Sequence, residues 1–230
     1  MSFGCNKKHT LIQGWLGHTP EAFQNNLLER CECVEVSCGN NIYTVGEESS
    51  DLWGISKGQV HLNIATHEHG PRFGHVFGPG TWCGDYELIT GNSRIMEVKA
   101  SRKCVLYHLP YRNFQQLTKV YPLSWRWIAL LATQHTALAL GAADDLMIKS
   151  SDARLAALLL RLSARRGAPE GTIPIDELDV SQQNISEALN LSRTATGQKL
   201  RLLRDQRFID FSYTKIQILD PQALNAYISE

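Results

Sequence analysis

The spacing of apolar and polar residues changes along the chain and divides it into three regions. In residues 31–108, short runs of alternating apolar and polar positions, such as 60–64 and 105–107, are separated by glycine-rich turns. Runs of this kind predict short antiparallel strands in a sandwich or jelly roll. From 122 to 149 the apolar positions recur at helical spacing, which predicts one helix roughly 40 Å long. Beyond it, shorter helical patterns alternate with turn signals.

The long predicted helix has two neighbouring apolar stripes. Ile128 and Leu131 mark the first stripe, and Trp127 and Leu130 mark the second. An apolar surface this wide can cover the sandwich with one side and pair with a second copy of the chain with the other. The pattern therefore favours a dimerisation helix. The alternative is a helix buried wholly within one subunit.

Residues 181–207 predict two helices joined by a tight turn. Ile185 and Leu189 lie one turn apart, so one face of the first helix is expected to be buried. Asn190 sits where the chain must reverse, and asparagine tolerates the left-handed conformation that such a turn requires. Ser192 can then cap the second helix.

The second of these helices is basic. Residues 193–207 contain several arginines and only one acid. A basic helix after a capped turn is typical of helix-turn-helix proteins, which place it in the DNA major groove. The alternative is an ordinary helical hairpin with a solvated charged face. A strand predicted at 173–175 and a hairpin predicted from 208–212 and 215–219 flank the two helices, as in a winged helix.

Composition narrows the function further. The chain has 23 basic and 23 acidic side chains, so any attraction to nucleic acid must come from the local basic segment. No apolar stretch reaches membrane-spanning length and the first residues do not resemble a signal peptide, which predicts a cytoplasmic protein with no membrane partner. The spacing Cys31-x-Cys33-x4-Cys38 matches no common metal site, and Cys31 and Cys33 are expected to act as small buried hydrophobic residues of a strand.

An enzyme is not expected. His67-x-His69 superficially matches the His-x-His of cupin enzymes, the chief alternative of another class. However, no glutamate follows at ligand spacing, so a facial metal set cannot be assembled. A metal-, haem- or redox-sensing role remains an alternative. Its candidate ligands are His61, His67, His69, His75, Cys83, Cys104 and His108.

The order of these segments resembles the Crp/Fnr superfamily of bacterial transcription regulators. The resemblance rests on Gly-Pro-Gly-Thr-Trp-Cys-Gly-Asp at 78–85, on Leu-Ser-Arg at 191–193 and on the run 202–209 in and after the basic helix. It extends over nearly the whole chain. It implies a transcription regulator and no enzymatic activity.

The resemblance implies an α+β fold in three parts. Residues 1–121 are expected to form a sensory β-roll of cyclic-nucleotide-binding type, a double-stranded β-helix or jelly roll. Residues 122–149 are expected to form the dimerisation helix, and residues 150–230 a winged helix-turn-helix. The regulator is then a homodimer on a two-fold symmetric operator in double-stranded DNA, and RNA polymerase is a candidate further partner.

The resemblance also implies which residues contact DNA. Arg193, Thr194 and Gln198 are expected to face the major groove, where arginine can bond to guanine and glutamine to adenine. Contacts to phosphates are expected from Ser181, Gln182, Gln183, Ser192 and Arg201. Thr196 and Lys199 stand where the family often has apolar residues, which predicts looser packing of this helix. A binding module that no longer contacts DNA is a further alternative.

The effector pocket implied by the resemblance departs from that of the cyclic-nucleotide-responsive members. Its residues are Gly84, Asp85, Glu87, Arg94, Ile95, Ala139 and Leu140. Arg94 is retained, but Ile95 lacks the serine hydroxyl, and Glu87 places a negative charge near the expected phosphate, which disfavours an anion. Ala139 and Leu140 replace the Thr-Ser that contacts adenine. A cyclic nucleotide is therefore not expected, the effector and any cofactor stay unknown, and Arg94 has an alternative role in an ion pair with Asp85 or Glu87.

Overall fold

The structure, a computed structural model, describes residues 8–65 and 70–228, so His67 and His69 lie outside the described residues. The contacts divide the chain into two units, each with its own hydrophobic core. The first unit comprises Met1–Pro71, Phe77–Thr136 and Pro169–Ile173, and the second comprises Arg72–Val76, Ala137–Ala168 and Pro174–Glu230.

The N-terminal region, from β1 to β8, is rich in short strands, as the alternating pattern predicts. The strands of the N-terminal region are β1 (Glu32–Val36), β2 (Asn41–Tyr43), β3 (Leu52–Lys57), β4 (Val60–Ile64), β5 (Arg72–Phe77), β6 (Trp82–Cys83), β7 (Met96–Ala100) and β8 (Cys104–Leu109). One sheet has the order β1-β8-β3-β6, and the other contains β2, β7 and β4 in that order. The pairs β1/β8, β3/β8 and β4/β7 are antiparallel.

The helices of this region precede, interrupt and follow the strands. They are α1 (Lys8–Leu11), a 3-10 helix (Gly14–His18), α2 (Glu21–Glu29), α3 (Asp85–Thr90), α4 (Tyr111–Val120) and the long α5 (Ser124–Met147). Fully buried Trp82 fills the core, and a Cβ added at Gly54 would lie 2.7 Å from its ring. Glycine at this position therefore lets the indole pack directly against β3.

One local prediction in this region is wrong. Cys33 is exposed rather than buried, although it lies in β1 as expected. The cysteine is on the outer side of its strand because strand side chains alternate between two faces and the neighbouring positions set which face is buried.

Helix α5 has 24 residues, which at 1.5 Å per residue gives about 36 Å. Ile128 and Leu131 are buried, whereas Leu130 is 37% and Leu140 67% exposed. The helix therefore buries part of its apolar surface within the chain and leaves part of it uncovered. Among the described residues, no helix is long and apolar enough to cross a membrane.

The second unit contains the winged helix-turn-helix. Its remaining elements are α6 (Ser151–Leu162), β9 (Glu177–Leu178), α7 (Gln182–Leu189), α8 (Arg193–Asp205), β10 (Ile209–Phe211), β11 (Ile216–Ile218) and α9 (Pro221–Ile228). The three strands form one antiparallel sheet in the order β10-β11-β9. The predicted α+β fold, with an N-terminal β-roll, a long helix and a C-terminal winged helix-turn-helix, is confirmed.

The strand predicted at 173–175 is wrong, because the strand of this segment is β9, a few residues later. Ile175 is buried, but its N–H donates to the carbonyl of Ser163 at 3.0 Å and not to a strand. Pro174, directly before it, has no N–H to contribute to a sheet. The segment is therefore an extended connection with a buried side chain.

A buried ion network joins the end of α5 to α6. Arg161 is 4% exposed, and its Nη2 lies 2.6 Å from Asp145 Oδ2 and donates to the carbonyl of Gly141 at 2.6 Å. Arg166 Nε adds a second contact to Asp145 at 2.9 Å. A Cβ added at Gly141 would lie 2.5 Å from Arg161 Nη1. The absence of a side chain at Gly141 therefore makes room for the guanidinium.

Candidate functional site

The turn between α7 and α8 has the geometry that the sequence predicts. Ser181 caps α7 by accepting a hydrogen bond from the N–H of Asn184 at 3.2 Å, and the Asn184 side chain accepts from the Ser181 N–H in return. Asn190 ends the helix in the left-handed conformation, with φ of 52°. Ser192 then caps α8 by accepting from the Ala195 N–H at 3.2 Å.

The outer face of α8 carries the predicted DNA contacts. Arg193, Thr194, Gln198 and Arg201 are all exposed. Thr194, Gln198 and Arg201 are spaced by four and three residues, so they lie on one face of the helix. The structure therefore exposes all four side chains, with three on one face of the helix and Arg193 beside that face at the helix start, and we call this surface the α8 outer face.

Two glutamines of α7 make contacts within the unit. The Gln182 amide donates to the carbonyl of Arg193, and a Cβ added at Gly197 would lie 2.5 Å from Gln182 Nε2. Gln182 therefore packs where the two helices approach each other. Gln183 is exposed and donates to Glu187 Oε1 at 2.8 Å. The hydroxyls of Ser181 and Ser192 serve as helix caps, and their phosphate contacts stay predictions.

Thr196 and Lys199, which stand where apolar residues are common, have different surroundings. Thr196 is fully buried, and its hydroxyl is a buried oxygen without a hydrogen-bond partner. Lys199 Nζ lies 2.6 Å from Asp152 Oδ1 at the start of α6. The lysine side chain therefore connects α8 to α6 and does not belong to the α8 outer face.

A groove lies between the start of α8 and the hairpin of the wing. Its volume is about 360 Å³. The side chains that line it include Ser181, Gln183 and Arg193 from the two helices, and Ser212 and Tyr213 from the hairpin turn. Tyr213 is 84% exposed. The groove therefore places an arginine, hydroxyl and amide groups and an aromatic ring on one concave surface of the unit.

The predicted effector pocket in the first unit begins at Gly84, just before α3. Gly84 has φ of 102°, and a Cβ there would lie 2.4 Å from the carbonyl oxygen of Asp51 and 3.0 Å from Arg94 Nη1. A side chain at this position is therefore excluded both by the backbone conformation and by the Asp51 carbonyl.

Arg94 is buried and surrounded by partners from its own unit. Its Nη1 lies 2.6 Å from Glu87 Oε2, and neither side chain is more than 1% exposed. Its Nη2 donates to the carbonyl of Asp51 at 2.8 Å, and the guanidinium carbon lies 4.0 Å from the centre of the Tyr43 ring. Of the two partners left open by the sequence, Glu87 is therefore the one that pairs with Arg94.

Asp85, the other candidate partner, contacts a different residue. His135 Nδ1 lies 2.8 Å from Asp85 Oδ1, and the imidazole stacks on Phe77 at 5.5 Å between ring centres. Ile95 is half-buried, and Ala139 and Leu140 are exposed on α5. Asp85 and Arg94, the two pocket residues most similar to those of the responsive members, are thus each engaged by another side chain.

Burial controls the chemistry of the cysteine in this region. Burial raises the pKa of the Cys83 thiol to about 12, and the Tyr43 hydroxyl and the Arg94 charge only partly oppose this shift. The thiol is therefore protonated at neutral pH, and a thiolate is the form that binds metals and reacts. Within residues 8–65 and 70–228, no group of three His, Cys, Asp or Glu side chains could hold a metal ion.

Sequence reasoning missed three residues around this pocket, namely Tyr43, Asp51 and His135. Asp51 is 43 positions from its partner Arg94, and His135 is 50 positions from Asp85. Tyr43, which lies under the guanidinium, is also remote from Arg94 in sequence. Tyr43 and Asp51 belong to no motif. His135 lies in the polar run 133–136 between the two apolar parts of α5, and this run is a signal that could have been used.

Two family models match the chain. The cyclic nucleotide-binding domain matches residues 33–121, and the Crp-like helix-turn-helix domain matches residues 153–227. The cAMP-activated global transcriptional regulator CRP of Escherichia coli is 24% identical over 186 residues, which are 79% of this chain and 87% of CRP. The chain belongs to the Crp/Fnr family. It is a Crp/Fnr-type transcription regulator and not an enzyme.

Solved structures of other regulators share the fold of this Crp/Fnr regulator. A CRP/FNR-family regulator from Thermus thermophilus has a TM-score of 0.65 at 23% identity, and the match covers 86% of this chain and 99% of that protein. FixK2 from Bradyrhizobium japonicum has a TM-score of 0.69 at 17% identity, with coverage of 85% and 96%. At such identities the similarity establishes the fold of the Crp/Fnr regulator and leaves its effector open.

Proposed function

We propose that this Crp/Fnr regulator binds a two-fold symmetric operator as a homodimer, with the α8 outer face in the major groove. The observation that carries the proposal is the joint exposure of Arg193, Thr194, Gln198 and Arg201 beside a properly capped turn. In contrast, Lys199 is engaged by Asp152. Because the whole chain has no net charge, these exposed groups supply the local attraction to DNA. A cytoplasmic location, as predicted from the sequence, is consistent with this partner, and RNA polymerase stays a candidate.

The DNA contacts are tested by changing Arg193 to alanine. A duplex selected from a random library by the wild-type protein serves as the operator, and fluorescence anisotropy measures its affinity beside that of a scrambled duplex. Loss of a bidentate base contact should reduce the discrimination between them by about 1–3 kcal/mol, roughly 5- to 150-fold. The matched control is Arg112→Ala, which removes an arginine whose side chain is 78% exposed in α4. Unchanged discrimination by Arg193→Ala would contradict the assignment.

The same titration at two salt concentrations distinguishes a regulator from a module that no longer binds DNA. Binding through phosphates releases counterions, so affinity should fall steeply between about 50 and 200 mM salt. A protein whose helix-turn-helix has lost this role would show no such dependence.

The homodimer is supported by the apolar side chains that α5 leaves uncovered. Leu130, Leu140 and Leu146 are 37%, 67% and 53% exposed. The substitution Leu140→Asp should shift the protein from dimer to monomer in sedimentation equilibrium. Ile64→Asp, at an exposed position of β4, is the matched control and should leave the dimer intact. A wild-type protein that sediments as a monomer would contradict the proposal.

The β-roll of this regulator is proposed to be a sensory domain that does not take cAMP in the manner suggested by the name of the Escherichia coli relative. The support is the engagement of Arg94 by Glu87 and of Asp85 by His135, together with apolar Ala139 and Leu140 on α5. An anion would have to displace a buried carboxylate to reach the arginine. The effector of the sensory domain is otherwise open.

A further inference from the structure

The strongest unexplained feature of the first unit is a full ion pair buried in the β-roll. Both charged side chains, Arg94 and Glu87, are inaccessible to water, and their nearest atoms are 2.6 Å apart. Burying such a pair is costly unless further hydrogen bonds support it, and an apolar pair would serve stability as well or better. The charges therefore call for an explanation other than stability.

Both terminal nitrogens of Arg94 are engaged within the unit. Nη1 faces Glu87, Nη2 faces the carbonyl of Asp51, and one face of the guanidinium lies on the Tyr43 ring. The buried Nε has no hydrogen-bond partner among the described residues. A phosphate could bind here only if the Glu87 carboxylate left, because the two negative charges would compete for the same guanidinium edge.

Helix α3 holds the Glu87 carboxylate in this position. Gly84 and Gly91, both in the left-handed conformation, flank the helix, and the Gly91 N–H donates to the Glu87 carbonyl at 2.8 Å. Leu88, the next residue, is buried in the core. The chain itself thus supplies the carboxylate. The short helix that carries it is held by the turns at Gly84 and Gly91 and by the buried side chain of Leu88.

We propose that Glu87 is a tethered ligand, whose carboxylate permanently occupies the anion site that Arg94 offers. This deepens the proposed function and rests on it for the consequence that operator binding requires no phosphate-bearing effector. The ligand class excluded from the wild-type pocket is a small phosphate-bearing anion, either inorganic phosphate or a cyclic nucleotide. Removal of the Glu87 carboxylate reopens the site to that class.

The test is chemical rescue of Glu87→Ala in the full-length protein. Thermal unfolding is followed with inorganic phosphate, with cAMP and with chloride at matched ionic strength. Leaving Arg94 unpaired should lower Tm by roughly 6–20 °C, because removing one partner of a buried ion pair leaves an uncompensated buried charge. Phosphate or cAMP should restore part of the loss in a saturable manner, whereas chloride should not. Comparing the two anions identifies which source of phosphate fits the opened site.

Three controls make the result decisive. Wild-type protein should show no saturable response to phosphate or cAMP. The double variant Glu87→Ala/Arg94→Ala should show no rescue, because the cation is gone. Wild-type protein freed of small anions by gel filtration should bind the operator without added phosphate or cAMP.

Several results would overturn the proposal. These are a saturable rise in wild-type Tm with either anion, a folded Glu87→Ala that responds equally to all three anions, and a wild-type operator affinity that appears only when phosphate or cAMP is added. Should Glu87→Ala fail to fold, Glu87→Ser, which also shortens the side chain and opens the site, must show the same anion rescue. If no variant and not even the wild type binds DNA, the proposed function fails, while the anion titration still tests the tethered ligand.

Discussion

Arg94 in the β-roll and Arg193 in the helix-turn-helix are the same residue in opposite surroundings. Arg94 is inaccessible to water and faces Glu87, the Asp51 carbonyl and the Tyr43 ring. Arg193 is exposed, opens a capped helix and lines a groove of about 360 Å³. The charge of the first guanidinium is matched by a carboxylate of its own chain, and the second guanidinium is available to a partner.

This difference explains why a retained motif residue does not imply a retained ligand. An arginine binds an external anion only if its charge is not already matched by a fixed carboxylate. In the β-roll the carboxylate is present, on α3. On α8, Lys199 is paired with Asp152 and Arg204 lies 3.5 Å from Asp205, and neither cation belongs to the α8 outer face. Partner side chains, rather than residue type, therefore distinguish the two sites.

The largest effect should follow from changing Arg94 to alanine, which leaves Glu87 buried without its partner. The free energy of unfolding should fall by about 3–5 kcal/mol, as for other broken buried pairs. Urea denaturation measures the change. Arg193→Ala is the matched control and should alter stability by no more than about 0.5 kcal/mol, because its side chain is at the surface. Equal losses of unfolding free energy in Arg94→Ala and Arg193→Ala would contradict the difference between the buried and the exposed arginine.

A smaller effect of the opposite sign should follow from Thr196→Val in α8. The Thr196 hydroxyl is buried and has no hydrogen-bond partner, so replacing it by a methyl group of similar shape removes an unsatisfied group. The unfolding free energy should rise by about 1 kcal/mol. Operator affinity should be unchanged, because the residue lies on the inner side of the helix. The control Thr194→Val, at an exposed position of the same helix, should leave the unfolding free energy unchanged. Destabilisation by Thr196→Val would show that the Thr196 hydroxyl has a hydrogen-bond partner.

The smallest effect concerns Asp51, a partly exposed carboxylate of the β-roll. Burial alone would raise its pKa, but hydrogen bonds from His108 and from the Tyr111 N–H, together with the His108 charge, lower the pKa below its ordinary value of 3.8. Its contribution to stability is therefore fully present above pH 3.8 and is lost as pH falls through the lower pKa of the folded state. Asp51→Asn should flatten this part of the stability–pH curve, measured by urea denaturation at each pH. An unaltered curve for Asp51→Asn would mean that other carboxylates cause the loss of stability at low pH.

Local chemistry made the helix-turn-helix predictable. The left-handed turn at Asn190 and the cap at Ser192 depend on residues within a few positions of each other, so the sequence alone indicates them. The wing hairpin was likewise predicted from two adjacent runs, and it forms at Ile209–Phe211 and Ile216–Ile218. The strand before α7 is the element that this reasoning misplaces. Ile175 is apolar because its side chain is buried in the core, and its backbone does not pair with a strand.

Partner choice in the β-roll was less predictable. Asp85 and Glu87 were both candidates for Arg94, and sequence distance does not separate them. Asp85 is instead taken by His135, which is 50 residues away and on another element. Such a pairing depends on how the sheets and α5 pack, and alternation of apolar residues does not encode it. The exposed side of β1, where Cys33 lies, was ambiguous for the same reason.

Gly141 has a consequence for the mechanics of α5. A glycine inside a helix ordinarily marks a place where the rod can bend, and it costs about 1 kcal/mol relative to alanine. Here the absence of a side chain leaves room for the guanidinium of Arg161, which donates to the Gly141 carbonyl and pairs with Asp145. The position at which α5 could most easily bend is thus also the position at which Arg161 connects it to α6. We therefore expect the last turns of α5 and helix α6 of the DNA-binding fold to move as one rigid body.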